Sequence, residues 1–264
     1  MRVHHLNCGT MCPFAWATGG ESFVCHVLLI EHDEGLVLCD TGFGTADIET
    51  PSRIPGRQLL RPAFDRQETA LMQVKKLGFS PKDVRHILLT HLDPDHAGGI
   101  SDFPGAEVHL LQDEWNAAQN PPTRAEASRY VKAQWAHGPK WRTHTPDGER
   151  WEGFERVRPL EAFGDQLALI PLRGHTRGHA GIALEGEAGW MVFAGDAYFH
   201  RNEVRTDAKP APLGVRLTQR LIAVNYAERN ANVRRLRELG TRRSDVQLIP
   251  AHDARVFDQA RAGA

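Results

Sequence analysis

The chain has 264 residues, 41% of them hydrophobic, and its 32 basic and 33 acidic side chains leave a formal charge of −1. That size and apolar content suit one α/β domain, residues 1–264, and the charge balance excludes a chain-wide field for nucleic acid or an anionic membrane. Met1-Arg2-Val3-His4-His5 lacks the apolar centre of a signal peptide, and no run of about 18 apolar residues occurs, so a soluble cytoplasmic protein is expected.

In chain order, Cys8, Cys12, Cys25 and Cys39 come first and include no Cys-x-x-Cys, which predicts reduced thiols, with Cys25 and Cys39 as small core residues. The loop Met11 to Trp16, followed by Gly19-Gly20, is a candidate wall for a site. Phe23 to Glu31 and Gly35 to Asp40 are apolar runs joined by His32-Asp33-Glu34-Gly35, the pattern of a hairpin. The second run stops at Asp40-Thr41-Gly42. A Pro- and Arg-containing loop spans residues 47–64, helical spacing runs from Glu68 to Leu77 until Gly78 ends it, and strands are expected at Arg85 to Leu89 and Ala106 to Leu111.

Residues 112–151 change character. They hold Trp115, Trp135, Trp141 and Trp151, four of the chain's six tryptophans, and a helix is expected from about Arg124 to Trp135. This stretch is read as an insertion, its tryptophans divided between helix packing and a substrate-lining lid. Strands resume at Gln166 to Leu172, Ala180 to Leu184 and Trp190 to Ala194. A helix over Ala227 to Leu239 and the strand Val246 to Ile249 follow. The basic run Arg229 to Arg243 reads as a solvated helix face, with Glu238 four residues from both Arg234 and Arg242.

The densest chemistry lies in Thr90-His91-Leu92-Asp93-Pro94-Asp95-His96-Ala97-Gly98-Gly99, directly after an apolar strand. A polar turn that caps a helix at Ala97 would explain the aspartates but not the two flanking histidines. Later apolar stretches also end at, or are bordered by, candidate ligands: His179 in Gly174-His175-Thr176-Arg177-Gly178-His179, Asp196 after Gly195, and His252 after Pro250-Ala251. His91, Asp93, Asp95, His96, His179, Asp196 and His252 make seven ligands from four places, the number that two metal ions need.

These residues and their order resemble the metallo-β-lactamase superfamily, whose usual signature is His-x-His-x-Asp-His followed by a distant His, a bridging Asp and a final His. The resemblance implies an αββα sandwich of two mixed β-sheets flanked by helices. It would place His91, Asp93 and His179 on a first metal and Asp95, His96 and His252 on a second, with Asp196 bridging. Asp40 and His175 would then orient ligands without touching metal. The ions implied are two divalent cations, zinc first, with iron or manganese as alternatives.

Residue 93 departs from the pattern, being Asp where the family usually has His. Three carboxylates around two divalent ions predict a less acidic metal-bound water and weaker attraction for anionic substrates than in His-containing relatives. The length and the N-terminal loop resemble the small-molecule lactonases, including those acting on N-acyl-homoserine lactones. The implied reaction is therefore opening of a small-molecule ester or lactone by a metal-supplied hydroxide, with Asp95 orienting the nucleophile or shuttling a proton. Those lactonases carry a tyrosine three residues after the bridging aspartate. Here Phe199 holds that position, which leaves Tyr198 and His200 as candidate replacements. Competing readings are a di-iron oxidoreductase, since flavodiiron relatives have a carboxylate at the position of Asp93, and a phosphodiesterase or thioesterase of the same superfamily. A small-molecule substrate is expected, with no nucleic acid or membrane partner and a homodimer left open.

Overall fold

Most residues from Phe23 to Cys39 are apolar, so the strands they form need cover on both faces. The computed structural model, which describes residues 1–164, 166–186 and 189–263, supplies that cover. Strands β1 (Arg2–Met11), β2 (Phe23–His32), β3 (Gly35–Cys39), β4 (Val84–Leu88), β5 (Glu107–Leu111) and β6 (Lys140–His144) make one six-stranded sheet in sequence order. The second sheet has the order β12-β11-β10-β9-β8-β7, from β7 (Glu149–Trp151), β8 (Phe154–Pro159), β9 (Leu167–Pro171), β10 (Ala180–Gly186), β11 (Gly189–Gly195) and β12 (Val246–Pro250). Both sheets are mixed: β3, β4, β5 and β6 run parallel, as do β11 and β12, and the other pairs are antiparallel.

Strand alternation sorts the side chains into layers. Leu29, Leu38, Ile87 and Val108 lie side by side in register and face outward, under Val74 of the helix Ala70–Lys76 and Ala118 of the helix Gln112–Gln119. Their neighbours Leu28, Cys39 and Leu88 point the other way and meet Leu169, Ile182, Phe193 and Ile249 of the second sheet. Beyond that sheet, Ile170, Ala183 and Val192 pack on Val233, Leu236 and Leu239 of the helix Tyr226–Arg242. The layers are thus helix, sheet, sheet, helix, the αββα sandwich. Burying each large aliphatic side chain stabilises this stack by about 1.5–3 kcal/mol.

Several elements differ from expectation for local reasons. The helix expected from Arg124 to Trp135 is two separate turns, Arg124–Ala127 and Lys132–Trp135, with Arg129 and Tyr130 between them. Trp115 and Trp141 meet in a tilted pair with centroids 4.6 Å apart against the outer core of the first sheet, and Trp151 meets Trp190 at 5.0 Å, so these tryptophans pack the layers together. Arg229 is buried rather than solvated, bonded to Glu203 at 2.5 Å. The thiols of Cys8, Cys12, Cys25 and Cys39 are all free. Among the described residues, no helix is long and apolar enough to cross a membrane.

Strand β1 and the helices Leu213–Ile222 and Ala254–Ala262 are not among the expected elements, although Leu213, Leu217 and Leu221 recur at helical spacing. β1 mixes His4, His5 and Asn7 with apolar residues. It is held by its register with β2 and by polar bonds such as Asn7 Nδ2 to Thr10 Oγ1 at 2.8 Å.

Candidate metal centre

The ends of β3, β4, β9, β11 and β12 converge on one rim. Backbone bonds lock them there: Asp40 N–H to the Leu88 carbonyl at 2.9 Å, Ala180 N–H to the Thr90 carbonyl at 2.8 Å, and Ala251 N–H to the Gly195 carbonyl at 3.1 Å. Gly195 has φ +51°, and a Cβ on it would meet His179 Nε2 at 2.9 Å, so glycine lets β11 turn out beside the histidines. After β4 the chain leaves the sheet, and Pro94 opens the one-turn helix Pro94–Ala97 with Asp93 at its N-cap.

The histidine tautomers follow from proton counting. Thr90 Oγ1 donates its single proton to Asp40 Oδ2 at 2.8 Å, so the 2.9 Å contact with His91 requires His91 Nδ1–H to donate. His96 Nδ1 donates to Asp40 Oδ2 at 2.7 Å, and His252 Nδ1 to the Val24 carbonyl at 2.8 Å. In all three rings this leaves Nε2 turned toward the rim. His91 Nε2 and His96 Nε2 are buried without any hydrogen-bond partner. Two buried, unpartnered imidazole nitrogens on one rim suit a cation site, and the donor set fits divalent metal.

The side chains fall into two groups, His91, Asp93, His175 and Asp196, and Asp95, His96 and His252, each with atoms close enough to share one ion. Asp196 stands between them, with Oδ2 at 3.2 Å from His175 Nε2 and Oδ1 at 2.9 Å from His252 Nε2 and 3.3 Å from His96 Nε2. Asp95 Oδ2 is 3.5 Å from His252 Nε2 and 3.7 Å from His96 Nε2. Six of the seven expected residues meet here.

His179 does not join them. Its Nδ1 donates to the Leu172 carbonyl at 3.1 Å, and its Nε2 accepts the Asp196 backbone N–H at 2.9 Å, so no lone pair is left for a metal. The structure brings in His175 instead, reversing the roles that the two histidines of the Gly-His-Thr-Arg-Gly-His segment were expected to play. Spacing cannot tell which of two histidines on a turn points inward. The bond from the Asp196 N–H decides it, and it lies 17 residues away.

Tyr198 is also corrected. It is fully buried on the outer face of the second sheet, among Val233 and Leu236, and its hydroxyl has no partner. Phe199 faces the rim, with ring centroids 5.0 Å from His252 and 6.0 Å from His175, because adjacent residues point to opposite sides. His200 stays nearby, lining a small cavity with Phe23, Phe199 and His252, but its Nδ1 accepts the Asn202 N–H at 3.1 Å. Glu203 takes the N–H groups of Phe199 and His200 at 3.0 and 3.1 Å and so fixes both.

The surrounding electrostatics favour positive charge. Burial works against a protonated His96, yet Asp196, Asp95 and Asp40 hold its pKa well above the usual range, and burial is likewise outweighed by Asp196 at His252. Excess carboxylate here would be satisfied equally by a metal ion. Burial pushes His175 down to about 4, with Arg129 adding to the shift. Asp93 is pushed upward by burial, but Arg129 and His91 overrule this and hold it well below the usual carboxylate range.

Sequence reading missed three residues that build this rim. Asp40, with an unusual φ of +59°, was expected. Glu114 was not, although its carboxylate takes Leu92 N–H at 3.1 Å, Thr176 Oγ1–H at 2.7 Å and Gly178 N–H at 3.0 Å, clamping the two histidine loops together. Gln134 bonds Asp47 and the Pro94 carbonyl, and Arg129 pairs with Asp93. All three lie in the tryptophan-rich stretch, and no local pattern marks them.

Comparison with known proteins agrees with this geometry. The model of the metallo-beta-lactamase superfamily matches residues 21–252. A Mycobacterium tuberculosis protein described as a probable metallo-hydrolase is 44% identical over 99% of this chain and 83% of its own length. An N-acyl homoserine lactonase of Bacillus cereus is 27% identical over 62% of this chain and 59% of its own. Among solved structures, the B. thuringiensis AiiA variant with N-decanoyl-L-homoserine at its active site superposes with a TM-score of 0.71, at 18% identity, over 98% of this chain and 95% of that one. With the family model spanning residues 21–252, the layered fold and a 44% identical metallo-hydrolase relative in agreement, the chain belongs to the metallo-β-lactamase superfamily and is a metal-dependent hydrolase related to the N-acyl homoserine lactonases.

Proposed function

We propose that the protein hydrolyses a small-molecule ester or lactone with two divalent ions, zinc in the first instance. His91, Asp93, His175 and Asp196 would hold one ion, and Asp95, His96, His252 and Asp196 the other. The observation that carries this reading is the convergence of imidazole nitrogens and three carboxylates on one rim, with His91 Nε2 and His96 Nε2 unpartnered. Bound divalent ions supply Lewis acidity that polarises a carbonyl and makes hydroxide available near neutral pH.

The remaining work falls to side chains. Asp40, Thr90 and the Val24 carbonyl hold the ring protons of His96, His91 and His252 on Nδ1, so each ring keeps its Nε2 lone pair inward. Asp95, with its side chain 13% exposed at the rim, would carry a proton between nucleophile and leaving oxygen. Phe23 and Phe199 give the mouth an apolar wall beside His252, suited to an uncharged acyl group. Phe199 offers no hydroxyl to a carbonyl oxygen, so the substrate must be oriented without one.

Purified, metal-analysed protein assayed on lactones, carboxylic esters, thioesters and phosphodiesters tests this. The expected result is turnover of lactone or ester that chelation abolishes and zinc restores. Activity on phosphodiesters alone, or iron with oxygen consumption, would overturn it in favour of a phosphodiesterase or a di-iron oxidoreductase.

A further inference from the structure

An aspartate in place of the usual histidine adds negative charge to a buried rim, and the structure holds an answering positive charge. Arg129 reaches in from the tryptophan-rich stretch, its side chain 14% exposed. Its Nε donates to Asp93 Oδ1 at 2.8 Å and its Nη2 to Asp93 Oδ2, a two-point grip on the carboxylate. Nη1 donates to the carbonyls of Ile222 at 2.6 Å and His175 at 3.3 Å, which anchors the guanidinium from behind.

Nη2 also lies 2.7 Å from His175 Nε2. Arginine cannot accept, so His175 Nε2 is the acceptor, and a neutral imidazole has one acceptor nitrogen. The same atom lies 3.1 Å from Asp93 Oδ2 and 3.2 Å from Asp196 Oδ2, so its lone pair faces both the guanidinium and the first metal position. It can serve one cation at a time.

We propose that Asp93 and Arg129 together act as a neutral substitute for one histidine, and that the guanidinium competes with metal for His175, so the first position binds its ion more weakly than the second. This rests on the two-metal reading. Asp93, Asp95 and Asp196 carry three negative charges, and Arg129 returns the total to two, the charge of a set with histidine at 93. The excess charge expected from Asp93 alone is thereby removed, and with it the expected penalty on anionic substrates. Arg129 is a positioning residue, acting on metal through Asp93 and His175.

Zinc titration against a competing chelator, with metal counted after desalting, tests this on the full chain and on Arg129→Met, Asp93→His and the double variant. The parent should take up two ions whose affinities differ by at least about tenfold, and Arg129→Met should tighten the weaker ion by a similar factor. Asp93→His should retain one ion, because the guanidinium stays buried without its carboxylate. The double variant should hold two ions within about threefold of each other. Equal affinities in the parent, or a weaker site unmoved by Arg129→Met, would overturn the proposal. Should Arg129→Met fail to fold, the double variant decides, since it removes the pair whole, and one ion retained there counts against the idea. No zinc uptake by the parent would instead bring down the two-metal reading, and the proposal with it.

Discussion

The two halves of the rim are built from similar candidate ligands but supported differently. Around Asp95, His96 and His252 the support is all acceptors, Asp40 Oδ2 and the Val24 carbonyl, which keep ring protons outward and leave lone pairs facing in. Around His91, Asp93 and His175 it includes a guanidinium that grips one ligand and touches another. Ligand lists alone would make the halves equivalent. What stands behind the ligands makes them unequal, since an acceptor behind a histidine strengthens it for metal and a cation beside it competes.

The largest effect that would break this picture concerns the two histidines of one turn. His175→Ala should lower kcat/KM by about 10²–10³ and cost one bound ion, whereas His179→Gln should keep both ions and lose only about tenfold. The reverse ranking, read by metal counting and steady-state rates, would restore His179 as the ligand. A smaller effect isolates the other half. Asp40→Asn should weaken metal binding about 10- to 100-fold, chiefly at the position holding His96, with the other ion little changed, as a zinc titration would reveal.

The smallest effect lies outside both halves and serves as their control. His109 bonds His86 at 3.1 Å and His144 at 3.0 Å beneath the first sheet, near Glu107 and Arg142. Burial, helped by His144 and His86, pushes its pKa down to about 3 from an ordinary 6.5. A depressed histidine pKa means the unfolded chain takes the proton first. Its contribution is therefore present above pH 6.5 and fades as pH falls toward about 3, a loss of about 2 kcal/mol by pH 5. Urea midpoints should show this slope in the parent and a flatter one in His109→Gln, with metal stoichiometry at neutral pH the same in both.

The sequence by itself determined eight of the twelve strands and most of the candidate rim residues. Apolar runs that end in His or Asp declare both a buried strand and the edge where its ligands emerge, because period and polarity are local properties. That made β2, β3, β4, β5 and β9 to β12 legible, and with them His91, Asp93, Asp95, His96, Asp196 and His252. Only the tertiary structure decided which of His175 and His179 turns inward, that Tyr198 faces the helix layer while Phe199 faces the mouth, and that Arg129 answers Asp93. Each of those outcomes depends on a partner far along the chain, a backbone N–H 17 residues from His179 or a guanidinium 36 residues from Asp93. Hydrogen-bond and charge balance in a buried rim is settled by whichever groups the packing brings together, and adjacency in sequence carries no trace of it.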